Sequence, residues 1–118
     1  MKGHYFRTEI FPGKITVTYN GRVVAVSQNA VALIEYAGKI LDPVYYIRRD
    51  DIMENLDKDT SRSTHCPIKG DATYWKPEDP PSDDYFAWSY ESPVEGAGSI
   101  TGLIAFNTRQ VSIETDNN

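Results

Sequence analysis

The chain has almost no cysteine or histidine: one Cys (Cys66) and two His (His4 and His65) among 118 residues. A single thiol closes no internal disulfide. These few side chains also fall short of the four ligands of a structural zinc site. The fold must therefore rest on a hydrophobic core, and this length is the usual size for one domain. Residues 1–118 read as a single domain with its core at 15–114 and with ends, including Asp116, Asn117 and Asn118, that fray. Long apolar runs are also missing. The longest, residues 30–34, is far below the roughly 20 residues a membrane helix needs. No apolar segment follows the basic residues at the start, so no secretion signal is read there. With a free thiol, this predicts a cytoplasmic protein away from membranes. Basic clusters are scarce as well. None is longer than Arg48-Arg49, and a nucleic-acid partner is not expected.

What is present is acidic in one place. The formal net charge is −5, and residues 42–84 carry all of it, with 11 acidic and 6 basic side chains. Such an excess serves as a solvated surface or as a site for a metal or cationic ligand.

Hydrophobic alternation has period two almost throughout. Ile15, Val17 and Tyr19 share one strand face. Asn20-Gly21 then supplies the positive φ values of a type I′ turn, and 22–27 returns as the second strand. Further strands are expected at 31–36, 43–48, 64–68, 72–76, 85–91, 99–107 and 110–115. Residues 50–56 are the one helical stretch, since an Asp can cap it and Ile52 and Leu56 lie four apart. Residues 57–63 read as a polar loop. Short strands at regular spacing with one helix near 51–56 predict an all-β fold, either an antiparallel sandwich or a partly open barrel.

Four constellations could carry chemistry. Six of the 14 aromatics fall between Tyr74 and Tyr90. Alternation puts Phe86, Trp88 and Tyr90 on one face and Trp75 with Thr73 on a neighbouring strand. Such rings form either plain core or the wall of a ligand pocket. In Thr64-His65-Cys66-Pro67-Ile68-Lys69-Gly70, alternation turns His65 away from Cys66, so the pair is no thiol–base dyad. Cys66 faces inward with Thr64 and Ile68, and the turn at Gly70 displays Lys69. In Tyr45-Tyr46-Ile47-Arg48-Arg49-Asp50-Asp51, Arg48 and Asp51 come to one rim, as a local salt bridge or as an anion contact. Finally, Glu35 continues the apolar face of Val31 and Leu33. It either reaches water at the strand end or is held by Arg or Lys with a perturbed pKa.

An ordered set of short motifs resembles a known family. These are Val24-Ala25 with Ser27, Leu33-Ile34-Glu35, and Val44-Tyr45-Tyr46 with Asp51. Thr64-x-Cys66-Pro67-x-Lys69-Gly70 follows, with Ala72, Tyr74 and Trp75, then Ala87-Trp88-Ser89-Tyr90 with Pro93, and Ala105-Phe106. Across about 15–114 the chain is similar to the family called domain of unknown function 427, which also carries a nucleotidyltransferase-like label. It departs from the pattern at Ile68 and Asn107, where aromatics are expected. The resemblance implies two antiparallel sheets packed at an angle, a β-tent of Mss4-like type similar to the cereblon ligand-binding domain. Relatives of that fold often use zinc held by CxxC pairs, and no CxxC occurs here. It implies no established reaction.

The leading expectation is a binding module that holds a small polar or aromatic ligand in an inter-sheet pocket. Its candidate residues are Glu35, Tyr46, Arg48, Asp51, Cys66, Lys69, Trp75, Trp88 and Tyr90. The alternative is a nucleotidyl- or phosphoryl-transfer enzyme, with Glu35, Asp51 and Asp71 around Mg²⁺ and Lys69 on phosphate. The Asp57-Lys58-Asp59 spacing reads as loop charge. A third possibility is a structural protein or homodimer acting through a sheet edge. The residues name no cofactor and no catalytic group.

Overall fold

The computed structural model describes residues 3–116. Its strands are β1 (His4–Ile10), β2 (Lys14–Tyr19), β3 (Arg22–Ser27), β4 (Val31–Ala37), β5 (Val44–Tyr46), β6 (Asp57–Cys66), β7 (Gly70–Lys76), β8 (Ala87–Ser89), β9 (Ala105–Phe106) and β10 (Ser112–Asp116). All named strands pair antiparallel. Hydrogen bonding sorts them into three sheets rather than two, ordered β1-β4-β5, β10-β2-β3 and β6-β7-β8-β9, without a closed barrel. Among the described residues no helix is long and apolar enough to cross a membrane.

The hairpin of β2 and β3 forms as its turn chemistry dictates, with φ of 49° at Asn20 and 77° at Gly21. The helix expected near 51–56 does not form. Only Arg49–Asp51 makes a 3-10 turn, and the chain is already extended at Ile52. There Ile52 bridges to Ala25 and the Met53 N–H donates to the Val24 carbonyl at 2.8 Å. Two apolar positions four apart do not offset the cost of helix nucleation, and the open edge of β3 offers the backbone a partner at once.

Residues 57–63 are not a loop but the first part of β6, a 10-residue strand of mostly polar side chains. This strand is a sheet edge, bulged between Lys58 and Ser63, where charge deters unwanted pairing. β1 was not expected from the sequence. It pairs along its whole length with β4, from His4 opposite Ala37 to Ile10 opposite Val31. At the other end Asp116 pairs with Lys14, while Asn117 and Asn118 lie outside the described residues.

The strands expected at 85–91 and 99–107 shrink to β8 and β9, yet these two position the core. Ala87 pairs with Phe106 and Trp88 with Ala105. Ala87 and Phe106 face a cluster built on Ile15, Val17, Val24 and Ile47. Trp88 and Ala105 face a second cluster built on Leu33, Tyr46, Tyr90 and Ile100. The β8–β9 ladder is thus covered on both sides. Reciprocal backbone bonds between Ile47 and Ile104, at 2.7 and 2.8 Å, clip the chain after β5 beside it.

Gly70 opens β7 at φ +122°, and a Cβ built there would stand 3.2 Å from Pro93 Cα. Side chains other than glycine are strained at such a φ. Gly70→Ala is expected to lower unfolding free energy by about 1–3 kcal/mol. Urea titration checks this, and wild-type stability would contradict it.

Candidate functional site

The sequence candidates divide among three places. The first lies where the β1-β4-β5 sheet meets the start of β7. Glu35, near the end of β4, accepts from Lys69 Nζ at 2.9 Å on one oxygen, and its other oxygen lies 2.7 Å from His4 Nε2. Lys69 and Glu35 are both largely covered, with side chains 12% and 17% exposed. Lys69 is aimed there because its own backbone is tied at both ends of the turn. Its N–H donates to the Cys66 carbonyl at 3.2 Å, and its carbonyl accepts from Val94 at 2.9 Å. Burial alone would raise the Glu35 carboxyl, but the bonds from His4 and Lys69 outweigh it and hold Glu35 below its ordinary value. Of the two alternatives for Glu35, the cation-held one is realised.

Tyr46 and Tyr90 are buried beside this pair, and Cys66 packs against the same cluster. Burial pushes both phenols well above their ordinary value, and the neighbouring Cys66 and Glu35 push them further the same way. Trp88 Nε1 donates to the Tyr46 hydroxyl at 3.3 Å, and the two rings meet edge-on at 6.3 Å. Glu35, Tyr46, Cys66, Lys69, Trp88 and Tyr90 are therefore brought together.

Trp75, Arg48 and Asp51 are not among them. Trp75 lies on the opposite face of its sheet, packed against the cluster of Ile15 and Phe86. Its Nε1 donates to Ser89 Oγ at 2.9 Å, and Ser89 in turn donates to Glu91. Arg49 lies 4.6 Å over the Trp75 ring and bonds Glu91 at 2.7 Å. With Ile52, Glu54, Leu56 and Ile104 these two line a cleft of about 160 Å³. Arg48 instead points outward to Asp50 at 3.7 Å, and Asp51 accepts from Ser27 Oγ at 2.8 Å. The 3-10 turn explains the exchange of roles: it breaks strand alternation at Arg49, so the second arginine, not the first, lies over Trp75. Phe86 departs in the same way from the face it was expected to share with Trp88 and Tyr90. It precedes the first ladder residue of β8 and packs edge-on against Tyr19 and Phe106.

The third place is a groove of about 510 Å³ where rims of all three sheets meet. Tyr45 of β5, Trp88 of β8, Phe106 of β9 and Ile113 of β10 line it together with Tyr85. Tyr85 meets Trp88 edge-on at 5.7 Å and carries the Arg109 guanidinium 5.4 Å above its ring. Asp84 grips Arg109 through two bonds of 3.0 and 3.2 Å, and that cation holds the Asp84 carboxyl far below the ordinary range. Asn107 is buried, donates to the Tyr85 carbonyl at 2.8 Å and caps the Arg109 N–H at 3.0 Å. Sequence reading placed Trp88 in a pocket wall but missed Tyr45, Tyr85, Phe106 and Arg109. Pairing between distant strands, not local pattern, assembles them.

The carboxylates suggested for a metal do not converge. Glu35 is held by His4 and Lys69, Asp51 by Ser27, and Asp71 by His65 at 2.7 Å. Among the described residues no three His, Cys, Asp or Glu side chains gather closely enough to hold a metal ion.

Because Glu35 sits below its ordinary value of 4.5 when folded, its ion pairs stabilise the fold fully above that pH. That contribution disappears as pH falls through the folded value. The stability gap between wild type and Glu35→Gln is therefore expected to be widest near neutrality and to narrow below pH 4.5, measured by urea titration across pH. A gap constant with pH would contradict it.

No curated protein matches the chain. Residues 7–117 match the family described as Domain of unknown function (DUF427), nearly the whole sequence, and the chain belongs to that family.

Proposed function

We propose that the protein is a binding module for a small planar aromatic or heteroaromatic ligand held in the groove of Tyr45, Tyr85, Trp88 and Phe106. One observation carries this reading: four rings from three segments of the chain line one open groove of about 510 Å³. Small-molecule sites are mostly apolar, of about 300–1,000 Å³, with a few fixed polar groups. Here Arg109 and Asp42 supply those groups at the rim. A flat ligand gains from ring faces and edges because aromatic pairs contribute about 0.5–1.5 kcal/mol beyond the area they bury.

The cluster of Glu35, Lys69 and His4 then acts as a scaffold. It ties β1 and β4 to the turn before Gly70, and beside it the Tyr46 hydroxyl fixes the Trp88 ring from behind. The phosphoryl-transfer alternative is less favoured, since it asks Glu35, Asp51 and Asp71 to share one cation and each has its own separate partner.

The test is titration with a panel of nucleosides, nucleotides and cyclic imides, read by Trp emission and by Tm. At least one planar compound is expected to change the emission and raise Tm. Tyr85→Leu, at a partly exposed ring, is expected to weaken that compound about tenfold. If no compound moves either signal, or if Tyr85→Leu and Trp88→Phe both bind as wild type does, the proposal is lost.

A further inference from the structure

β1 is an edge strand with nothing paired on its outer side among the described residues. Which backbone groups face outward follows from two bonds. The Phe11 N–H donates to the Ala30 carbonyl at 2.8 Å, and the Gly38 N–H donates to the Gly3 carbonyl at 3.2 Å. Both continue the β1–β4 register, so odd-numbered residues of β1 bond β4. The N–H and C=O groups of Phe6, Thr8 and Ile10 consequently point away from the sheet. The side chains alternate with them. Tyr5, Arg7 and Glu9 lie on one face and are exposed, while His4, Phe6, Thr8 and Ile10 lie on the other. Ile10 is 63% exposed and so is available to a partner on that face.

We propose that β1 pairs antiparallel with β1 of a second copy of this chain, with Thr8 on the two-fold axis, to form one continuous sheet across the dimer. Three observations converge on this register. First, it sets the outward groups of Phe6, Thr8 and Ile10 against the same groups of the second copy, so the ladder closes with correct parity. Second, it places Arg7 of each chain opposite Glu9 of the other. Moving the axis to Arg7 would oppose arginine to arginine, and moving it to Glu9 would oppose glutamate to glutamate. Opposite charges directly across a strand pair stabilise, and like charges destabilise. Third, it lays the exposed Ile10 across from Phe6 of the second copy. A two-fold contact of this kind is self-complementary and closes on itself. Within one chain Arg7 already bonds Glu9, so the dimer joins two such pairs into a ring of four alternating charges. The β6 edge offers no comparable match, being polar and bulged between Lys58 and Ser63. This surface is separate from the groove of Trp88, and its failure would leave that reading untouched.

Sedimentation and light scattering at micromolar concentration test the proposal on the full chain. Wild type is expected to be dimeric. Arg7→Glu and Glu9→Arg, each alone, put like charges opposite each other twice and are expected to weaken association about tenfold or more. Mixed together, these two variants restore opposite charges at both positions and are expected to form a heterodimer. Thr8→Pro added to both removes an outward N–H and is expected to abolish that heterodimer. Unchanged circular dichroism of each variant controls for folding. A monomeric wild type overturns the proposal, as do single reversals that dimerise like wild type or a mixture that stays monomeric.

Discussion

The ladder between β8 and β9 is the constraint on which the rest of this molecule depends. It is short, yet each of its two residue pairs sets one small side chain against one ring: Ala87 with Phe106, and Trp88 with Ala105. The pleat sends one pair to each face, so each covering sheet meets one ring and one alanine. The alanines give room for close approach and the rings fill the remaining depth, as dense packing requires. A slip of one residue would exchange the faces and bury the wrong partner on both sides at once. The two core clusters, the clip between Ile47 and Ile104, and the groove at the sheet rims all follow from that single register.

Much of the strand content was legible because period-two alternation and turn residues are local signals. The hairpin through Asn20-Gly21, the strand from Val31 and the all-β class follow from them directly. The division into three sheets was not legible. It depends on pairings such as β10 with β2 and β5 with β4, which join distant parts of the chain. β6 was missed for a different reason. Its edge position makes apolar alternation unnecessary, so Asp57–Cys66 looks like a loop while behaving as a strand. The helix near 51–56 was a plausible local pattern overridden by a tertiary one, the open edge of β3.

The candidate site divides in the same way. Cys66 and Lys69 were legible through a turn, and Trp88 through its neighbours in an aromatic strand. Glu35 was legible as a charge out of place on an apolar face, and His4 and Lys69 supply its explanation. Trp75 was assigned to the wrong company because faces were known only within a strand. Its own pairing with Ala87 carries it to the far side. Arg49 was hidden by the 3-10 turn. Asn107, read only as the loss of an aromatic, turns out to organise the backbone beneath Tyr85 and Arg109.

The stitching of Lys69 and Gly70 to residues 92–94 has a consequence for how such a chain tolerates change over time. Val94 bonds the Lys69 carbonyl, and the Gly70 backbone lies against Pro93 with no space for a side chain between them. The two loops contact each other through main chain, so most side chains there are free to vary. Their lengths are not. An inserted or deleted residue in either loop would change the spacing of the other. It would displace Lys69 and Tyr90 together. Outside Lys69 and Gly70, divergence at this corner is thus open to substitution and closed to insertion.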